Sequence, residues 1–127
     1  MRHQFKNLKV WQMGMNLVVL VYAATKEYPK EEKYSLVYQI NRSVISVLSN
    51  IAEGSGKNTD KDFAKYLYLC LVSLYELETQ MITSHRLNFI SEEKFEEVIK
   101  VINELEKMLI GFIRKINPVT EHLNSNF

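Results

Sequence analysis

A run in the second quarter of the chain, residues 39–54, restricts the possible folds more than any other segment. On a helix of about 100° per residue, its polar side chains fall within an arc of roughly 100°, and apolar side chains cover most of the remainder. The polar members are Gln39, Arg42, Ser43, Ser46, Asn50 and Glu53. A helix with this much apolar surface is buried on more than one side, so its polar stripe needs partners. The run therefore predicts a helix enclosed by other helices.

Three more segments show the helical period of apolar residues. The four segments extend over about residues 8–27, 33–53, 59–87 and 91–117. Only four glycines and two prolines occur in 127 residues, which favours long, uninterrupted helices. Because short loops join the segments, the sequence predicts an all-α fold, an antiparallel up-down four-helix bundle, in residues 1–118. Residues 119–127 are polar and are predicted to form a flexible C-terminal tail.

Local signals mark the ends of these helices. Pro29 keeps Tyr28 out of the helical region and ends the first segment. Gly54 ends the second segment and is suited to a left-handed cap. Thr59 and Ser91 are predicted N-caps of the third and fourth helices.

Charge and cysteine content restrict the class of protein. The net charge of +1 offers no global electrostatic attraction to nucleic acid or membrane. The single cysteine, Cys70, excludes an intrachain disulfide, and its leucine-rich surroundings predict a buried, inert thiol. The longest apolar run, residues 17–24, is far shorter than the ~20 residues that span a bilayer. We expect a cytoplasmic protein with no membrane partner.

The apolar surface exceeds what a monomeric bundle needs. The second and fourth helices carry apolar arcs of roughly 200°, whereas ~100° suffices for a surface helix. The chain also contains seven tyrosines and six phenylalanines. Exposed apolar surface on this scale usually marks an interface, which favours a homo-oligomer. The alternative is a thick core with some exposed tyrosines.

Glu78 lies inside the apolar arc of the third helix, where an isolated charge is very costly. Arg42 on the second helix is its expected partner if the polar sides of the two helices face each other. No nucleophile or second catalytic group accompanies the pair, so we interpret it as a polar clamp that sets helix register. The polar seam predicted in this way comprises Gln39, Arg42, Ser46, Asn50, Glu53 and Glu78.

The sequence lacks the patterns that support catalysis or cofactor binding. A di-metal site in a four-helix bundle uses Glu-x-x-His motifs, and neither Glu53 nor Glu78 is followed by such a histidine. His85 is not followed by the Lys-Gly pair that is common after a phosphotransfer histidine. Residues 54–59 have the wrong glycine spacing for a phosphate loop and follow a helix. We expect a non-enzymatic protein without a metal or another cofactor.

Basic side chains form two clusters that could contact nucleic acid. Lys6 and Lys9 belong to the N-terminal arm, and Lys57 and Lys61 flank the turn after the second helix. Arg42, within the polar stripe, is the fifth candidate. The near-neutral net charge does not by itself indicate RNA binding, but oligomerisation would bring the small basic patches of several subunits together in a ring.

Residues 39–43 and 46–54 resemble the signature of the 23S rRNA-intervening-sequence family of four-helix bundles. That pattern reads Gln-hydrophobic-Arg-Arg-Ala/Ser, then Ser-hydrophobic-Pro-Ser-Asn-Ile-Ala-Glu-Gly. Further agreement, at matching spacing, lies within residues 5–12, 62–67 and 73–80. The resemblance spans about residues 5–118, and the chain is identified on it as a member of this family.

The resemblance implies a small cytosolic bacterial protein, often encoded near ribosomal RNA insertions or mobile elements. It also implies similarity to the accessory protein of diversity-generating retroelements, a pentameric barrel of four-helix bundles that binds nucleic acid and a reverse transcriptase. Three positions depart from the family pattern: Asn41 and Lys57 each replace an arginine, and Leu48 replaces a proline. The resemblance therefore implies that the charge missing at Asn41 weakens nucleic-acid binding specifically and leaves the fold untouched.

Two functions are therefore expected as alternatives. The first is a homo-oligomer, by resemblance a pentamer, that acts as an accessory factor for RNA or DNA. It predicts that Arg42, Lys57, Lys61 and the N-terminal lysines gather on one accessible surface. The second is a structural or protein-protein interaction oligomer that binds a partner chain and no nucleic acid. It predicts scattered basic side chains, with Arg42 paired to Glu53 or Glu78.

Overall fold

The computed structural model describes residues 4–118 and contains four long α-helices. They are α1 (Lys9–Thr25), α2 (Leu36–Ser55), α3 (Asp60–Arg86) and α4 (Glu92–Ile116). No strand occurs within this range, so the prediction of an all-α fold is confirmed. None of the described helices combines the length and apolarity needed to cross a membrane. The predicted tail, residues 119–127, lies outside the described residues.

Each helix packs against its neighbours along the chain, and α1 also packs against α4, so the four helices enclose one core. The Ser43 hydroxyl on α2 donates to Glu76 on α3, and Ser46 shares a hydrogen bond with Ser73. Because residue numbers rise along α2 as they fall along α3, these helices are antiparallel. In the contacts between α1 and α2, and in those between α3 and α4, residue numbers also rise along one helix as they fall along the other. These pairs are therefore antiparallel too, as in an up-down bundle.

The core is built mainly from aliphatic side chains of all four helices, joined by Phe63. Fully buried examples are Leu17, Ile40, Leu74, Ile102 and Leu109. Each contributes roughly 1.5–3 kcal/mol by leaving water. Cys70 is also fully buried, and this burial raises the pKa of its thiol to about 12. The prediction of a buried thiol is confirmed.

Side-chain caps hold the first turns of α3 and α4. The Thr59 hydroxyl accepts a hydrogen bond from the backbone N–H of Asp62 at 3.1 Å. The Ser91 hydroxyl accepts one from the N–H of Lys94 at 3.2 Å. Each cap satisfies one of the backbone donors that a helix leaves unpaired at its start. Both predicted N-caps are confirmed.

The predicted left-handed cap at Gly54 is wrong. Among the described residues no glycine has a positive φ, and α2 continues through Gly54 to Ser55. A Cβ atom at Gly54 would lie 2.6 Å from the Cβ of Tyr66 and 2.8 Å from the ring of Phe63. The glycine therefore permits α2 and α3 to approach each other closely. The sequence suggested only that Gly54 ends a helix and gave no sign of this close approach.

Replacing Thr59 with alanine should lower the free energy of unfolding by about 1 kcal/mol, because the N–H of Asp62 loses its capping acceptor. Urea denaturation followed by circular dichroism measures the change. Thr79→Ala is the matched control, since the Thr79 hydroxyl only bonds the carbonyl of Tyr75 on the exposed side of α3. That control should leave stability unchanged or slightly higher. Equal losses in the two variants would contradict a capping role.

Candidate nucleic-acid interface

The cationic side chains predicted at the N-terminal arm and at the turn before α3 lie at one end of the bundle. In an antiparallel bundle, α1 and α3 begin at the same end at which α2 and α4 finish. We call this the basic end. Its cations are Lys6, Lys9, Lys57, Lys61, Lys65, Arg114 and Lys115. They outnumber its carboxylates, which are Glu53, Asp60 and Asp62. The opposite end, around the α3–α4 turn, carries an excess of carboxylates.

The lysines of the basic end remain accessible to a ligand. Lys6, Lys9 and Lys61 are exposed, and no ion pair within residues 4–118 involves them or Lys57. Lys57 is half-buried, and its ammonium lies 4.8 Å from the centre of the Tyr66 ring. This cation–π contact holds the Lys57 side chain over α3 while its charge stays available. The arrangement presents separate positive charges in the way a phosphate backbone requires.

Arg42 lies apart from this group. It is exposed on α2, and the fifteen residues to Lys57 place it roughly 20 Å away along the bundle axis. Within residues 4–118 it forms no ion pair with any carboxylate, including Glu53. Its surroundings are an open groove whose other lining residues include Tyr22, Tyr38 and Ile45. The five predicted nucleic-acid contacts thus divide into four lysines at the basic end and one arginine elsewhere.

Part of the predicted polar seam lies between α2 and α3. Ser46 and Ser73 are hydrogen-bonded at 2.8 Å, and the Asn50 amide donates to the Ser46 hydroxyl at 3.2 Å and to its carbonyl at 2.9 Å. Gln39 and Glu53, like Arg42, are not enclosed in this way and remain accessible. The Ser46–Ser73 bond therefore joins the two helices, whereas the Asn50 bonds stay within α2. The accessible members are free to meet solvent or a partner.

The predicted ion pair between Arg42 and Glu78 is not formed. Glu78 is half-buried on the side of α3 that faces α4, where its carboxyl group lies close to that of Glu106. Two ionised carboxylates repel each other and have no donor between them, so this proximity favours a proton on one of the pair. Burial, together with the neighbouring Glu78 carboxyl group, raises the pKa of Glu106 to about 8. We call Glu78 and Glu106 the carboxyl pair.

Glu106 was missed by the sequence reasoning, although a signal was present. It lies four residues after buried Ile102 and seven before buried Ile113, which places it inside the apolar arc of α4. The residue opposite a buried carboxyl on a neighbouring helix is the natural place to search for a partner. Oε2 of Glu106 is buried and has no hydrogen-bond partner among the described residues.

His85 is held by structural contacts. Its Nε2 lies 2.7 Å from Oε1 of Glu92, and its ring stacks on Phe95 with centroids 4.1 Å apart. The histidine lowers the pKa of Glu92 mainly through this hydrogen bond. The contacts join the end of α3 to the start of α4. Within residues 4–118, no group of three or more His, Cys, Asp or Glu side chains could hold a metal ion.

These observations define the class of protein: an all-α, four-helix bundle with a basic end and a half-buried carboxyl pair. Residues 6–111 match the sequence model of the 23S rRNA-intervening sequence protein family. Because the match covers well over half of the chain, the protein belongs to that family.

Comparison of structures supports the same fold. The chain is similar to a crystal structure of a protein of unknown function from the S23 ribosomal protein family of Bacteroides thetaiotaomicron. The TM-score is 0.76 at 24% identity, over 83% of this chain and 98% of the other. At this identity the likeness concerns the fold. The search of curated proteins returns no significant match.

Proposed function

We propose that this protein is a non-enzymatic, self-associating four-helix bundle that binds nucleic acid through its basic end. The observation that carries the proposal is the gathering of lysines from three separate stretches of chain at that end, without ion-pair partners among residues 4–118. Nucleic acid is recognised first through its phosphates, and unpaired lysines are suitable phosphate ligands. Since the name of the family refers to an intervening sequence of 23S rRNA, RNA is the first ligand to test.

Exposed apolar side chains support the self-association part of the proposal. Val19 on α1 is 63% exposed and Val72 on α3 is 62% exposed. Tyr38 and Ile45 on α2 and Tyr75 on α3 add further exposed apolar area. Large apolar side chains on several sides of a small bundle favour contacts between subunits. If the subunits associate side by side in one direction, their basic ends form a single positively charged rim.

Light scattering on the purified protein tests self-association directly. The proposal expects a mass of several times the 14.9 kDa chain. A mass of one chain across the accessible concentration range would overturn the oligomer. Association can then be compared with nucleic-acid binding, which is measured separately by fluorescence anisotropy with a labelled RNA or DNA strand.

Replacing Lys6 and Lys9 together with glutamine should weaken binding of an RNA strand and flatten its salt dependence. Removing one phosphate contact reduces the steepness of log K against log salt by about 0.7–0.9. Lys26→Gln with Lys30→Gln is the matched control, because these two exposed lysines lie at the other end of the bundle. Equal slopes for both double variants would contradict recognition by the basic end.

An interaction oligomer without nucleic-acid binding is the second candidate. The observation that favours it is the exposed apolar surface, combined with a net charge of only +1. On that alternative, neither RNA nor DNA binds even at low salt, and the assembled protein binds another protein chain. The anisotropy titration therefore separates the two functions.

A further inference from the structure

An open groove with a volume of about 510 Å³ lies between α1 and the start of α2. Three aromatic rings line it: Tyr22 belongs to α1, and Tyr34 and Tyr38 lie on either side of the first residue of α2. All three are exposed to solvent, and Tyr34 is 85% exposed. We call this the tyrosine groove. Its volume lies within the ~300–1,000 Å³ of typical small-molecule sites, so it has room for a planar ligand.

The charged side chains of the tyrosine groove are all cationic. Lys33 lies in the turn before α2, and Arg42 lies on α2, about 9 Å along the axis from the first residue of that helix. Among residues 4–118 no carboxylate lines the groove, and neither cation forms an ion pair. The Lys33 ammonium lies 5.3 Å from the centre of the Tyr34 ring, which places positive charge beside an aromatic surface. The groove therefore attracts a ligand that carries negative charge.

A half-buried amide adds a hydrogen-bond donor to the same groove. The Thr25 hydroxyl donates to the amide oxygen of Asn41 at 3.1 Å, which fixes the orientation of that side chain. The amide nitrogen of Asn41 makes no hydrogen bond within residues 4–118, so its two N–H donors remain available. Such a donor favours a ligand with an acceptor atom on its ring.

We propose that the tyrosine groove binds a phosphorylated nucleoside, with its base on the tyrosines and its phosphate at Arg42. Every nucleobase has a π-face that stacks on aromatic side chains and acceptor atoms that an amide can recognise. The planar guanidinium of Arg42 matches phosphate oxygens, and Lys33 adds a second positive charge. An acidic peptide supplies carboxylates, but none of its side chains combines negative charge with a planar ring that carries acceptors.

This site is separate from the basic end and does not rest on nucleic-acid binding there. Arg42 lies roughly 20 Å from Lys57 along the bundle axis. The exposed apolar side chains of α3, Val72 and Tyr75, do not line the groove and remain for contacts between subunits. The tyrosine groove therefore stays open in the assembled protein, which is the form to be tested.

Titration with AMP, followed by NMR of backbone and side-chain amides, tests the site. AMP should bind with a dissociation constant of about 1 mM or below and shift the side-chain amide signal of Asn41. Adenosine and inorganic phosphate should each bind at least about tenfold more weakly, since each lacks one part of the contacts. Equal binding of adenosine would overturn the phosphate contact, and equal binding of phosphate would overturn stacking. No binding of AMP up to about 10 mM would overturn the site and leave the basic end unaffected.

Two substitutions locate the ligand. Arg42→Gln should weaken AMP binding about tenfold and leave adenosine binding unchanged, because only the phosphate loses a partner. Tyr38→Leu keeps an apolar side chain but removes a ring, and should weaken binding of both ligands about fivefold or more. Arg86→Gln and Tyr75→Leu, exposed on α3 outside the groove, are the matched controls and should bind AMP like the parent. Parent-like affinity in both groove variants would overturn the proposal.

A phosphorylated nucleoside is available as a free nucleotide or as a unit of a single strand, and an adenylate trinucleotide separates the two sources. Binding at least about tenfold tighter than AMP, and weakened by Arg42→Gln, identifies a strand. Binding no tighter than AMP identifies the free nucleotide. Lys6→Gln with Lys9→Gln should bind AMP like the parent, because these lysines lie at the basic end. A loss of AMP binding in that double variant would overturn a separate site.

Discussion

Gly54→Ala should destabilise the protein by about 1–3 kcal/mol, although alanine is the better helix former. The added methyl group would lie 2.6 Å from the Cβ of Tyr66, an atom attached directly to the α3 backbone. It would also lie 2.8 Å from the ring of Phe63, which is itself buried in the core. Relief therefore requires α2 and α3 to separate near the basic end, which also displaces Lys57.

Gly111→Ala is the matched control for this prediction. Gly111 lies inside α4, is exposed, and has no atom within 4 Å of the position that an added methyl group would take. The control should therefore gain about 0.5–1 kcal/mol from helix propensity alone. Urea denaturation followed by Trp11 fluorescence measures both variants. A stabilised Gly54→Ala protein would show that close helix approach is not the reason for this glycine.

Glu106→Gln should stabilise the isolated subunit at alkaline pH and have little effect in acid. The pKa of Glu106 is raised from 4.5 to about 8 in the folded chain, so the folded state binds this proton more tightly than the unfolded state. Its contribution is complete below about pH 4.5 and is lost as the pH rises through about 8. In the variant, the glutamine amide donates a permanent hydrogen bond to Glu78 in place of the shared proton.

Because Glu106 is only partly buried, the full linkage energy of the pKa shift must be reduced for solvent screening. We expect the variant to exceed the parent by about 1–2 kcal/mol at about pH 8.5 and by under ~0.5 kcal/mol at about pH 5. Unfolding is measured at concentrations where light scattering shows a single chain, so that association does not contribute to the measured stability. Glu104→Gln, an exposed change on α4, is the control. Parallel pH curves for parent and Glu106→Gln would contradict the shared proton.

The proposed self-association and the proposed nucleic-acid binding are physically connected. A single chain has a small charge, and its basic end alone offers a weak electrostatic site. Subunits that associate side by side in one direction add these charges on one rim. On this proposal, conditions that dissociate the oligomer should also weaken RNA binding.

The sequence by itself determined the features that depend on near neighbours in the chain. Helical period, the scarcity of glycine and proline, and the capping hydroxyls of Thr59 and Ser91 predicted four helices and their starts. The leucines around Cys70 likewise predicted its burial. These properties depend on side chains within one or two helical turns of each other. The period of an α-helix shows from the sequence which of these side chains share a face.

Only the tertiary structure decided which helix covers each buried group. A helical period shows that Glu78 points inward from α3, but it does not show whether α2 or α4 faces it. The bundle places α4 there, so Glu78 meets Glu106, and Arg42 has no ion pair within residues 4–118. Close packing likewise gives Gly54 a role that its position at a helix end concealed. The direction in which a side chain points from its helix follows from the local sequence. Which helix it then faces depends on how the whole chain packs.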